Sequence, residues 1–354
     1  MSVSVFDHPI LSGLVGDEAF AALFSVAAEL AAILRFETAL AEAEAEEDVI
    51  SQEAAEAIAA AVQQFKPDVG ALSRGIARDG VVIPALLDQL RQKLSAEHRT
   101  RLHFGATSQD AIDTGLAMRL IEATALLATR LNEVIESLDA LERRDGGVEV
   151  MAHTRMQAAI PVTAARKIAS WREPLMRHRA RLEIVRKSVT ILTFGGAAGT
   201  LEKLGEKGPA VAARLARKLG LNLVAHARHS ERDGIADFAS LLSLVTGSLG
   251  KMGQDVTLMA QNEVGEVKLA EGGGSSAMPH KQNPVKAEIL VSLARFNATL
   301  LSGMHHALVH ENERSGSAWT LEWMLLPQMV VATGASLRIA GELAGGISFA
   351  ASKA

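Results

Sequence analysis

An all-α protein, built as a bundle of long helices, is what this sequence predicts, and three observations carry the prediction. Ala, Leu and Glu dominate a 354-residue chain in which aromatics are only 4% and Tyr is absent, a bias toward helix and away from a β-sandwich. Apolar residues recur at intervals of three, four or seven over stretches longer than an ordinary globular helix. The 48% hydrophobic share supplies a large core and excludes wholesale disorder. The spacing divides the chain into a small N-terminal helical domain, 1–108, and a central long-helix bundle, 109–354.

The first 20 residues, with Pro9, Gly13 and Gly16, read as an irregular arm. Leu23, Val26, Leu30, Ile33, Leu34 and Leu40 then predict one helix over 18–49, and a second follows over 52–65, stopped by Pro67. Residues 74–84 are Gly-rich and read as a loop before a short helix. Ile112, Leu116, Leu120, Leu127, Leu131, Ile135 and Leu138 mark the longest helix, 110–143. Further periodic runs cover 161–189, 235–269 and 284–310. Helices this long can hide their apolar stripes only against one another, and a lone chain would leave much of their length uncovered. Association of several copies through helices is therefore expected. A solenoid would need a repeat that the sequence lacks.

With no Cys, the chain has no disulfide, thiol nucleophile or thiolate metal site. A net charge of −5 argues against nucleic acid as the main partner. The absence of an 18-residue uncharged apolar run argues against a membrane span, and the N-terminus lacks a basic signal region. A cytoplasmic protein is expected. No carboxylate cage or Gly-x-Gly-x-x-Gly predicts a metal or a cofactor.

Polar segments interrupt the helical pattern. His103-Phe104-Gly105-Ala106-Thr107-Ser108-Gln109-Asp110 precedes the longest helix. Ser108 or Asp110 would serve there as an N-cap, or the hydroxyls and free N–H groups would form an anion site. His153, Thr154, Arg155 and Gln157 are either a polar lead-in to the helix beyond Pro161 or a compact set of donors. Gly272-Gly273-Gly274-Ser275-Ser276-Ala277-Met278-Pro279-His280-Lys281-Gln282-Asn283-Pro284 is the most specific. A plain linker needs neither its hydroxyls nor its cations, and the glycines permit a loop that closes over an anion. His310 to Ser315 reads as a solvated turn, and His226, His229 and Arg232 as exposed loop charges.

Gly274-Ser275-Ser276-Ala277-Met278-Pro279-His280-Lys281-Gln282-Asn283-Pro284 resembles the G-S-S-x-M-P-x-K-x-N-P signature of the fumarase/aspartase superfamily. His103 to Asp110 matches that superfamily's first motif region, and Thr154-x-x-Gln157 falls where the second is expected. Phe194 to Leu201, Gly247 to Lys251 and Glu313-Arg314-Ser315 before Trp319 resemble the branch that cycloisomerises 3-carboxy-cis,cis-muconate. The resemblance implies a homotetramer of long helices, with each active site assembled from three chains. It also implies a small tricarboxylate substrate, Ser275 as proton donor and Ser276 as the second choice. Lys281 and Asn283 would bind the carboxylate that gains charge. Thr107, Ser108, Arg155 and Gln157 would hold the others, with His103, His153 and Arg314 as further donors. Two departures stand out: Arg155 replaces the usual His of Thr-His-x-Gln, and the family's C-terminal helical domain is apparently missing. A fumarate-releasing lyase and a non-catalytic helical protein are the alternatives.

Overall fold

The computed structural model describes residues 3–274, 276–278 and 281–351. Its architecture is a long-helix bundle beside a smaller helical lobe, with two short antiparallel strand pairs. The short helix α1 (Ser12–Val15) lies where an irregular arm is predicted, and α2 (Glu18–Ala22) begins where the first helix is predicted to start. The single helix predicted over 18–49 is broken between α2 and α3 (Val26–Glu46) because the Ser25 hydroxyl caps α3, accepting from Ala28 N at 3.2 Å. α4 (Gln52–Gln63) follows. The predicted 74–84 loop is instead largely α5 (Val69–Asp79) and the start of α6 (Ile83–Arg91), separated by Gly80 at φ 74°. Gly75 belongs inside α5 because a Cβ there would lie 2.4 Å from the Ala85 methyl.

α7 (Ser108–Asp145) has 38 residues and spans about 57 Å. Leu120, Leu127, Leu131, Val134, Leu138 and Leu141 form its buried stripe. It packs on α3, α8 (Ala164–Val189) and α12 (Ser317–Gly346). α10 (Asp233–Met259) and α11 (Val285–His306) complete the bundle, while α9 (Gly208–Leu219) packs on α3 in the smaller lobe. Each fully buried Leu contributes roughly 1.5–3 kcal/mol of transfer free energy, so stripes of this length suffice to hold helices together. α12 is long and apolar enough to cross a membrane, yet 67% of its most apolar window is buried, as in a core helix.

The segment 152–161 is not a lead-in to a helix. It belongs to a hairpin of β1 (Glu149–Thr154) and β2 (Gln157–Thr163), whose turn residues Arg155 and Met156 have φ 48° and 67°. The second strand pair, β3 (Val267–Leu269) with β4 (Ile347–Phe349), ends the predicted 235–269 helix early.

Helix directions define two ends. The N-terminus of α7 meets the start of α12 where Trp319 Nε1 donates to Asp113 Oδ1 at 3.0 Å. At the opposite end, Asp145 at the C-terminus of α7 accepts from Phe349 N at 2.9 Å. The hairpin and the base of the 272–284 loop lie at this second end. Met151 N donates to the Glu266 carboxylate at 2.6 Å, and Ala270 N donates to Gly346 O at 2.7 Å.

Candidate active site

At the first end, the sequence before α7 forms a tightly tied cradle. The helix is capped by Thr107 rather than by Ser108 or Asp110, and Thr107 N donates to Asp110 Oδ2 at 3.0 Å, closing a capping box. Asp110 is fully buried and also accepts from Gly195 N, Gly196 N and His229 Nε2 at 3.0, 2.9 and 2.7 Å. Its role is therefore to lock the 194–201 loop onto the motif, not to face a ligand. Gly196 makes that approach possible: its φ is 73°, and a Cβ would lie 2.8 Å from Gly105 O.

His229 and Arg232 are buried here, correcting their assignment as exposed loop charges. Arg232 sits between the buried carboxylates of Asp113 (2.7 Å) and Glu322. Their attraction outweighs the cost of burial and raises the Arg232 pKa, keeping it charged. A charge set of this kind requires all its members, because removing one leaves another buried and unpaired. Sequence reasoning missed this network. The available signal was the carboxylates Asp113 and Glu322 standing on apolar helical stripes, beside Leu116 and Leu326.

His103, Thr107, Ser108 and Arg314 are gathered around this cradle. Arg314 Nε donates to Gln109 Oε1 at 2.9 Å and its Nη2 to Ala197 O at 3.2 Å, so the predicted solvated turn is anchored to the first motif. His103, at φ 60°, places Nδ1 2.6 Å from the buried Glu37 carboxylate. Burial opposes its charge, but Glu37 outweighs burial and raises the His103 pKa, favouring an imidazolium suited to an anion. Nearby Glu44 is pushed up to about 9 by burial and by the charge of Glu37.

At the second end the side chains are far less satisfied. His153, Arg155 and Gln157 are exposed on the hairpin, with Arg155 at its tip. The 272–284 loop is closed at its base by reciprocal bonds, Gly273 N to Asn283 O at 2.8 Å and Asn283 N to Gly273 O at 2.9 Å. Ser276 and Lys281 are exposed, and Asn283 is half-buried with its Nδ2 3.4 Å from Gly274 O. Ser275 and His280 lie outside the described residues.

One chain therefore places His103, Thr107, Ser108 and Arg314 at one end of α7, and His153, Arg155, Gln157, Ser276, Lys281 and Asn283 at the other. A rigid helix of about 57 Å separates the two groups. They cannot converge on one small molecule within a single copy.

This architecture and the two-ended distribution of motifs define an all-α lyase of the fumarase/aspartase type. The family model described as lyase matches residues 17–296, and the chain belongs to that family. It is 42% identical over 314 residues to the 3-carboxy-cis,cis-muconate cycloisomerase of Pseudomonas aeruginosa, covering 87% of this chain and 68% of that one. To the enzyme of the same name from Pseudomonas putida it is 39% identical over 337 residues, covering 94% and 80%. The crystal structure of 3-carboxy-cis,cis-muconate lactonizing enzyme from Pseudomonas putida superposes with a TM-score of 0.91 at 38% identity, covering 96% of this chain and 77% of that one.

Proposed function

We propose that the chain is a cycloisomerase that interconverts 3-carboxy-cis,cis-muconate and 4-carboxymuconolactone. One substrate carboxylate adds to a double bond and closes a five-membered lactone, while a proton goes to the neighbouring carbon. That carbon is α to another carboxylate, so negative charge accumulates on an aci-carboxylate before protonation. Preorganised positive charge is the main requirement of such a reaction, together with a folded diene that brings the internal nucleophile over its target.

The single observation carrying this reading is Arg155 at the hairpin tip. An elimination that releases an amine benefits from a titratable acid at this position. Lactone opening expels a carboxylate, which needs no proton, so a permanent cation suits the position. Ser275 supplies the proton in the lactonising direction and, as alkoxide, removes it in reverse. Its oxyanion would be supported by backbone N–H groups of the glycine turn and by Lys281. Lys281 and Asn283 bind the carboxylate that becomes the aci-species. Arg155 and Gln157, with Thr107 and Ser108, hold the other carboxylates, while His103, His153 and Arg314 add donors.

The assembly is a homotetramer in which three copies contribute to each site. The separation of the motif groups supports this reading, as do Met176 and Ile184 on α8, Leu244 on α10 and Met324 on α12, all exposed in one copy. Incubation with 3-carboxy-cis,cis-muconate tests the function. Loss of conjugated-diene absorbance with formation of the lactone is expected, whereas no turnover of this substrate, or fumarate release from a succinyl adduct, would contradict it.

A further inference from the structure

Beneath the β1–β2 hairpin lies a groove of about 670 Å³, walled by the hairpin, the first turns of α8 and the last turns of α10. His153 and Arg155 line it from the hairpin, Arg166 and Lys167 from α8, and Lys251 and Asp255 from α10. Asp255 is the only carboxylate lining it among the described residues, and it is already committed. It accepts from Trp171 Nε1 at 2.7 Å and pairs with Lys251. Among the described residues, Arg155, Arg166 and Lys167 have no carboxylate partner. Like charges gathered around one concave surface repel, and a polyanion seated there turns the repulsion into attraction.

Resting on the cycloisomerase reading above, we propose that Arg166 and Lys167 are specificity-determining residues. They add their charges to the 3-carboxylate, one of the two carboxylates that Gln157, Thr107 and Ser108 help to hold, while Arg155 engages the other. The groove thereby selects a tricarboxylate over the dicarboxylate of the same carbon skeleton. A planar guanidinium beside an ammonium can grip one carboxylate from two directions. The apolar floor, which includes Leu258 and Met259, receives the hydrocarbon.

The test uses the full chain with Arg166→Gln, Lys167→Gln and the double variant, with thermal unfolding checked in each. For the double variant the KM for 3-carboxy-cis,cis-muconate should rise roughly 10- to 100-fold with kcat within about threefold, since uniform binding is lost. The inhibition constant of cis,cis-muconate, which lacks the 3-carboxylate, should stay unchanged, and the charge-retaining pair Arg166→Lys with Lys167→Arg should recover much of the KM. Lys218→Gln, which removes a distant charge paired with Glu42 and Glu46, should behave as wild type. An unchanged KM, or an equal loss of affinity for the tricarboxylate and the dicarboxylate, would overturn the proposal. Should the wild type fail to turn over the substrate, the cycloisomerase reading falls separately. Calorimetry with propane-1,2,3-tricarboxylate then decides the groove: binding lost in the double variant supports it, and binding retained overturns it.

Discussion

The two ends of α7 are built on opposite principles. At the N-terminal end, Asp110, Asp113, His229, Arg232 and Glu322 are buried and paired, and each charge has its complement within the chain. At the C-terminal end, His153, Arg155 and Lys281 are exposed, and Arg155 has no carboxylate partner among the described residues. The buried network at the first end is a finished scaffold, where substitution costs stability, and it holds the ligand-facing His103, Thr107, Ser108 and Arg314 in place. The second is a reactive surface that lacks its complement, where substitution costs activity and leaves the fold intact.

That contrast can be broken or sharpened experimentally. Ser275→Ala should lower kcat by about a thousandfold or more, roughly 4 kcal/mol of barrier, with unfolding temperature and oligomeric state unchanged. Rapid-mixing turnover assays and sedimentation would show it. Arg232→Met should do the reverse, because it leaves Asp113 and Glu322 buried without their cation. A loss of about 3–5 kcal/mol is expected in denaturant unfolding. Arg155→Ala should raise KM roughly tenfold, about 1.4 kcal/mol, with little change in unfolding temperature. Steady-state kinetics beside a thermal melt would separate these effects.

A pH-dependent effect on stability concerns Glu44. Its carboxyl is pushed from an ordinary 4.5 to about 9 in the folded chain, so the fold favours the protonated form. The resulting stability is fully present below pH 4.5 and is lost as pH rises toward 9. Glu44→Gln should accordingly raise the unfolding temperature by several degrees more at pH 9 than at pH 5. A pH-independent difference would show that Glu44 is not a neutral buried acid.

The bundle was legible in the sequence because α7 repeats its apolar residues over many turns, and a period sustained that long has few other solutions. The hairpin was not. Its turn is Arg155-Met156, without the Asn-Gly or Asp-Gly pair that positive φ at both positions normally demands. The signature loop was recognised from residue identity, and so were the proposed roles of Ser275, Lys281 and Asn283. The buried network escaped notice because His229 and Arg232 stand in a stretch of Ser, Glu, Asp and Gly that reads as solvated. Their partners Asp110 and Asp113 lie 119 positions away in the chain, where no local pattern could join them. Arg166 and Lys167 stand within the periodic run 161–189, and only the folded hairpin shows the groove that they line.

Mixing two inactive variants tests most directly whether the ends of different copies meet. Ser108→Ala combined with His103→Ala disables one end, and Ser275→Ala disables the other. After subunit exchange at equal ratio, confirmed by mass spectrometry of the mixed assemblies, activity should return to roughly a quarter of wild type, the share of sites drawing both intact ends from different copies. Mixed assemblies that form yet remain as inactive as their parents would contradict the shared-site account.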